Sequence, residues 1–248
     1  FQGTGRWLGS PYLLSALSFA AAQLAVYTAI RDVQARSFAF AAVVLSSLIV
    51  YFGVHLPQWN ANIAQLPFAA LLVLALWRAL DRRSSFWWLV TGAAAAGGFL
   101  AKYSFALIPL SAAALVLYDP LMRTRIRVVP AVLGVVVTCV VIAPNLLWLL
   151  NNPEATEAAM AANSRLSASG GVMAGVLSSL TVIGVTIAVA VLPAIAVFRG
   201  LSARGRVDDA NLERVGMLTR LFGVALFGPL LATIGIALAT GLMVKDHW

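Results

Sequence analysis

The chain has 248 residues, of which 61% are hydrophobic and only 10% charged, with a formal net charge of +8 and a mean hydropathy of +0.92. Soluble domains devote about 25% of their residues to charge and about 45–50% to apolar types, so a soluble globule is excluded. A disordered chain is excluded by the apolar content, and a disulfide scaffold by the presence of a single cysteine, Cys139.

A helix crossing about 30 Å of hydrocarbon needs roughly 20 mostly apolar residues, and hydrogen bonding within each helix satisfies its backbone in lipid. Eight such stretches follow one another, near 11–30, 37–54, 62–80, 86–101, 103–118, 128–150, 171–198 and 221–244. The expected fold is therefore an all-α integral membrane protein, a polytopic bundle of about eight transmembrane helices forming one domain over residues 1–248. The fourth and fifth spans are short and separated only by the Lys102 region, which predicts a tight hairpin. The run from Gly92 to Gly98 consists of glycine and alanine, which suits close helix contact.

The loops give an orientation. Arg31, Arg36, Arg78, Arg82, Arg83, Arg123, Arg125, Arg127, Arg199, Arg204, Arg206, Arg214 and Arg220 fall in alternate loops, thirteen of the 17 basic residues. The other loops hold only Arg6, Lys102, Arg165 and Lys245. By the positive-inside rule the arginine-rich loops are cytoplasmic, with anionic lipid head groups as their partner. No basic run is interleaved with aromatics, so nucleic acid is not an expected partner. The chain begins at Phe1 and stops at Trp248 directly after a polar cluster, and it reads as an excerpt of a longer protein.

Polar residues at the outer face carry the functional information, because placing them near lipid costs energy. His55, Asn60, Asn62 and Gln65 lie between the second and third spans. Either asparagine can cap the third helix or bind a hydroxyl-rich ligand, and one can do each. Lys102 is the one basic residue in its outer turn; it can snorkel to the head groups or aim its ammonium at a lipid-linked phosphate. Asn145 lies about two turns before the end of the sixth span and needs a partner there, while Trp148 suits an aromatic belt. The loop at about 151–170 carries Glu154, Glu157 and Arg165 and has the composition of a surface helix, on which the two glutamates read as a solvated face. Lys245, Asp246 and His247 follow the last span. His55 and His247 are far apart and lack spaced thiolate or carboxylate partners, so no metal site and no cofactor is expected. There is no Walker loop, dinucleotide fingerprint or nucleophile elbow.

In order along the chain, the segments WNANIAQLPFAALLVLALWRAL, GAAAAGGFLAKYS, APNLLWLLNN and VKDHW resemble the polyprenol-phosphate-sugar-dependent membrane glycosyltransferases of the protein mannosyltransferase-like family 39. The resemblance is closest to the bacterial branch that decorates lipopolysaccharide and other envelope glycans. It implies the C-type glycosyltransferase membrane fold. It also implies an inverting transfer of sugar from a polyprenyl-phosphate donor to a glycan, lipid or protein acceptor at the periplasmic face of a bacterial inner membrane. Lys102 matches the family's lysine near the donor phosphate; Tyr103 and Lys245 join it in the expected phosphate-binding set. His55, Asn60, Asn62, Asn145, Arg165 and His247 form the expected substrate-binding set. The family's general base is an aspartate in the first outer loop, and residues 1–10 contain no carboxylate, so it is expected upstream of Phe1. Many relatives carry an aspartate where this chain reads Asn60-Ala61-Asn62. The alternative from another class is a secondary transporter or flippase. Such folds place ionisable residues mid-membrane and repeat their first half in their second, and this sequence shows neither pattern.

Overall fold

The computed structural model describes residues 10–47, 59–154 and 209–240. The predicted span at 171–198, the end of the one at 37–54, the surface helix at about 151–170 beyond Glu154, and His55, Arg165, Lys245 and His247 lie outside the described residues. Within them the protein is helical: α1 (Ser10–Arg31), α2 (Arg36–Ser47), α3 (Ala61–Asp81), α4 (Ser85–Ala101), a 3₁₀ turn (Tyr103–Ala106), α5 (Leu107–Tyr118), α6 (Pro120–Arg123), α7 (Val128–Asn151) and α8 (Asp209–Thr240). Among them α1, α3 and α7 are long and apolar enough to cross a membrane, and α4 and α5 are shorter apolar helices. This is an all-α membrane protein.

The helices form a row, α2–α1–α3–α4–α7, with α8 lying against α5 and, less extensively, α3. Burial follows position in the row. Over half of α3 is buried, including Leu72, Ala75, Trp77, Ala79 and Leu80, whereas α7 turns most of its valines and leucines outward. Since lipid is as apolar as leucine, the helices associate through close packing rather than water exclusion. The tightest contact joins α4 to α7. A Cβ built on Gly92 would stand 2.0 Å from the Gly134 carbonyl oxygen, so both positions require glycine. Thr138 spans the contact, donating to the carbonyls of Gly92 at 3.0 Å and of its own helix's Gly134 at 3.1 Å.

The chain ends of the helices sort into two sets. One is knitted by ion pairs: Asp32, after α1, accepts from Arg78 at 2.7 Å and Arg82 at 3.0 Å at the end of α3. Arg214, near the start of α8, forms a two-pronged pair with Asp81 at 2.9 and 2.8 Å. Arg125 pairs with Glu213, and Arg220 with Asp119. Sequence reasoning gave these arginines only a topological role; in the fold they also fasten α3, α5 and α8 together, through the acids that share their loops. Burial alone would raise the Asp119 carboxyl, but hydrogen bonds from Arg220 and from the amides of Leu121 and Met122 outweigh it and hold the group below the usual carboxylate range. Asp119 thereby caps α6, a four-residue helix with Pro120 in its first turn that hydropathy did not predict. α8 begins at Asp209, twelve residues before the apolar stretch expected at 221–244, and Arg214 and Arg220 in the added turns pair with Asp81 and Asp119.

Candidate functional site

The opposite end of the row carries the candidate site. α4 stops at Ala101 because Lys102 adopts an extended conformation (φ −159°, ψ 125°), after which a single 3₁₀ turn redirects the chain. Phe105, only 1% exposed, fills the space over Gly98, where a Cβ would meet its ring at 2.2 Å. The turn is as tight as expected, but its two helices splay: α4 packs on α3 and α7, and α5 packs on α8. Extended Lys102 and Tyr103, the first residue of the 3₁₀ turn, therefore reach outward to two different neighbours.

Lys102 reaches α3, where its Nζ donates to Asn62 Oδ1 at 2.7 Å. Tyr103 reaches α7, where its hydroxyl donates to Asn145 Oδ1 at 3.2 Å. This supplies the partner that Asn145 was expected to need. The ring of Tyr103 is braced by Phe99, one turn back, at 5.2 Å between centroids. The two asparagines at the start of α3 divide the work. Asn60 is the cap, its Oδ1 accepting from the amides of Asn62 at 2.9 Å and Ile63 at 3.1 Å. Asn62, in the first turn, faces Lys102.

The electrostatics follow from these partners. Asn62 offers Lys102 an amide oxygen, and the bond orients the ammonium. Partial burial pushes the Lys102 ammonium below the ordinary lysine value. A cation in such a setting interacts more strongly with an incoming anion than one in bulk water. Asp32, Asp81, Asp119 and Glu213 are paired with arginines at the other end of the bundle. Among the described residues no group of three or more histidine, cysteine, aspartate or glutamate side chains gathers to hold a metal ion.

Thus Asn62, Lys102, Tyr103 and Asn145, spread over 84 positions of sequence from Asn62 to Asn145, meet at one end of three neighbouring helices. A family model described as dolichyl-phosphate-mannose-protein mannosyltransferase matches residues 5–148. The chain belongs to that family. The matched segment contains His55, Asn60, Asn62, Lys102, Tyr103 and Asn145 and stops short of Arg165, Lys245 and His247. Two curated relatives are the lipopolysaccharide core galacturonosyltransferases RgtA and RgtB of Rhizobium johnstonii, each 30% identical to this chain over 73% of its length. The chain spans about a third (36%) of the length of these relatives. No solved structure matches.

Proposed function

We propose that the chain forms part of a membrane glycosyltransferase that moves a sugar from a polyprenyl-phosphate donor to an envelope glycan acceptor, with inversion at the anomeric carbon. The reading is supported by family membership, by the names of the two relatives, which transfer a sugar to the lipopolysaccharide core, and above all by one arrangement. That arrangement is a partly buried lysine ammonium, oriented by a neutral amide, at the membrane end opposite the arginines.

In the proposed reaction an acceptor hydroxyl attacks the anomeric carbon as the bond from that carbon to the phosphate oxygen breaks. The hydroxyl proton passes to a general base, and the polyprenyl phosphate leaves with one more negative charge than it had in the donor. The protein has to meet that growing charge where it appears, which is the most effective use of a fixed cation. Lys102 takes this role in the proposal, with Tyr103 beside it and Lys245 joining the phosphate-binding set. Asn62 and Asn145 hold Lys102 and Tyr103 and contribute to the substrate-binding set together with His55, Asn60, Arg165 and His247. In the proposal the general base is the aspartate of the family's first outer loop. The arginine end is cytoplasmic and the Lys102 end periplasmic, in a bacterial inner membrane.

The test is transfer by the full-length protein in proteoliposomes supplied with a polyprenyl-phosphate-linked sugar. Lys102→Ala abolishes transfer while membrane insertion and melting temperature stay as in the wild type. Unchanged transfer by that variant removes Lys102 from the reaction, and transfer from a nucleotide sugar alone removes the lipid-linked donor.

A further inference from the structure

At the arginine end, a polar cleft of about 300 Å³ is lined by Arg83, Thr124, Arg125, Ile126 and Arg127. Neither the ion-pair network nor the proposed transfer uses it. Arg125 is already paired with Glu213 and lies 3.9 Å from Asp81. The other nearby carboxylates serve Arg78, Arg82, Arg214 and Arg220. The guanidinium groups of Arg83 and Arg127 have no carboxylate partner among the described residues.

The backbone adds positive potential to the same place. Arg127 precedes α7, and Arg83 and Ser84 precede α4; the Arg127 guanidinium donates to the Arg83 carbonyl at 2.8 Å, which sets the two helix starts side by side. The helices run parallel, as Trp88 against Gly134 and Gly92 against Thr138 four residues further along both helices require, so like ends of two helix dipoles are adjacent. Neither N-cap side chain, Ser84 nor Arg127, bonds to the first-turn amides. Arg83 takes a left-handed backbone conformation (φ 48°), rare for a side chain of its size, to make this turn. Two guanidinium groups without a carboxylate partner among the described residues and two adjacent helix N-termini give the cleft a positive potential that favours an anion.

The surroundings select the kind of anion. Beyond the cleft Phe86, Val128, Val129 and Val132 are exposed, with Val128 and Val129 following Arg127 directly along α7. A phosphate seated among the arginines would leave anything attached to it lying along this apolar strip. We propose that the cleft is a specific site for the phosphodiester head group of an anionic phospholipid, whose acyl chains cover the start of α7.

The site is tested in the full-length protein reconstituted with phosphatidylcholine containing a minor fraction of phosphatidylglycerol. Lipids retained after detergent extraction are counted by native mass spectrometry. The wild type retains phosphatidylglycerol over phosphatidylcholine. Arg83→Asn keeps a residue that tolerates the left-handed conformation and weakens that retention about fivefold, whereas Arg36→Gln, an exposed arginine outside the cleft, leaves it unchanged. Thr124→Glu, which adds a carboxylate to the lining without touching an arginine, also expels the lipid and serves should Arg83→Asn fail to fold. Equal weakening by Arg36→Gln reduces the effect to diffuse surface charge and overturns the site. Displacement of the lipid by millimolar inorganic phosphate overturns the lipid assignment, and retention without preference for phosphatidylglycerol overturns both.

Discussion

Replacing Gly92 by alanine puts a methyl group where no space exists. Its carbon would lie 2.0 Å from the Gly134 oxygen, and ordinary contact begins near 3.4 Å, so α4 and α7 must part by about 1.4 Å or distort. Overpacking of this kind costs about 1–3 kcal/mol. Separation also breaks the Thr138 bond to the Gly92 carbonyl, a loss of about 0.6–1 kcal/mol in a membrane protein. Alanine's better helix propensity offsets about 1 kcal/mol, leaving a net destabilisation of about 0.6–3 kcal/mol. The assay is reversible unfolding of the full-length protein in mixed micelles, with Gly223→Ala measured in parallel. A Cβ at Gly223 meets nothing within 4 Å, so that substitution should be neutral or stabilise by about 0.5–1 kcal/mol. The opposite signs are the prediction. A Gly92→Ala protein as stable as the wild type, or a Gly223→Ala protein equally damaged, refutes the packing argument. Because Lys102 and Tyr103 follow α4 directly and α7 carries Asn145, the same separation should stretch the Tyr103–Asn145 hydrogen bond and lower transfer activity.

Other expectations follow from single contacts. Asp119→Asn keeps a good cap and removes the charge opposite the half-exposed Arg220, costing about 1 kcal/mol, while Asp119→Ala loses the cap as well and costs about 2 kcal/mol in the same unfolding assay. Because the Asp119 carboxyl is held below its ordinary value of about 3.9, its contribution is complete above that pH and is lost as pH falls through the lower folded value; the acid limb of the stability profile should flatten in Asp119→Asn. Asn60→Ala should destabilise the protein by about 1 kcal/mol with rescue by serine, whereas Asn62→Ala should spare stability and lower transfer, and the reverse pattern would invert their assignment. Arg214→Lys should cost about 1–2 kcal/mol despite keeping the charge, because lysine cannot reproduce the two-pronged bond to Asp81 or lie over the Trp77 ring as the guanidinium does at 5.6 Å.

Hydropathy made the membrane helices legible because lipid demands long unbroken apolar runs. The stretches expected at 62–80, 86–101 and 128–150 lie within a residue of the ends of α3, α4 and α7. What hydropathy cannot report is which neighbour a helix chooses. The splay of α5 away from α4, the short α6, and the early start of α8 all depend on contacts between distant residues, such as Arg220 with Asp119 and Arg214 with Asp81. The acids were visible in the arginine loops, and counting them beside the arginines would have signalled pairing. At the site, the sequence placed Lys102, Asn60, Asn62 and Asn145 on one face by loop alternation alone. Deciding which asparagine caps and which faces the lysine required the dihedral angles of Asn60, because both residue type and position suited either task.

The role of Lys102 is tested most directly by the affinity of the full-length protein for polyprenyl phosphate, the lipid product of the proposed transfer, compared with the same polyprenol lacking phosphate. A charge-assisted hydrogen bond to the phosphate predicts that Lys102→Gln weakens binding of the phosphorylated lipid about tenfold to hundredfold and leaves binding of the alcohol unchanged. Equal affinity of wild type and variant for polyprenyl phosphate would contradict a phosphate-binding lysine.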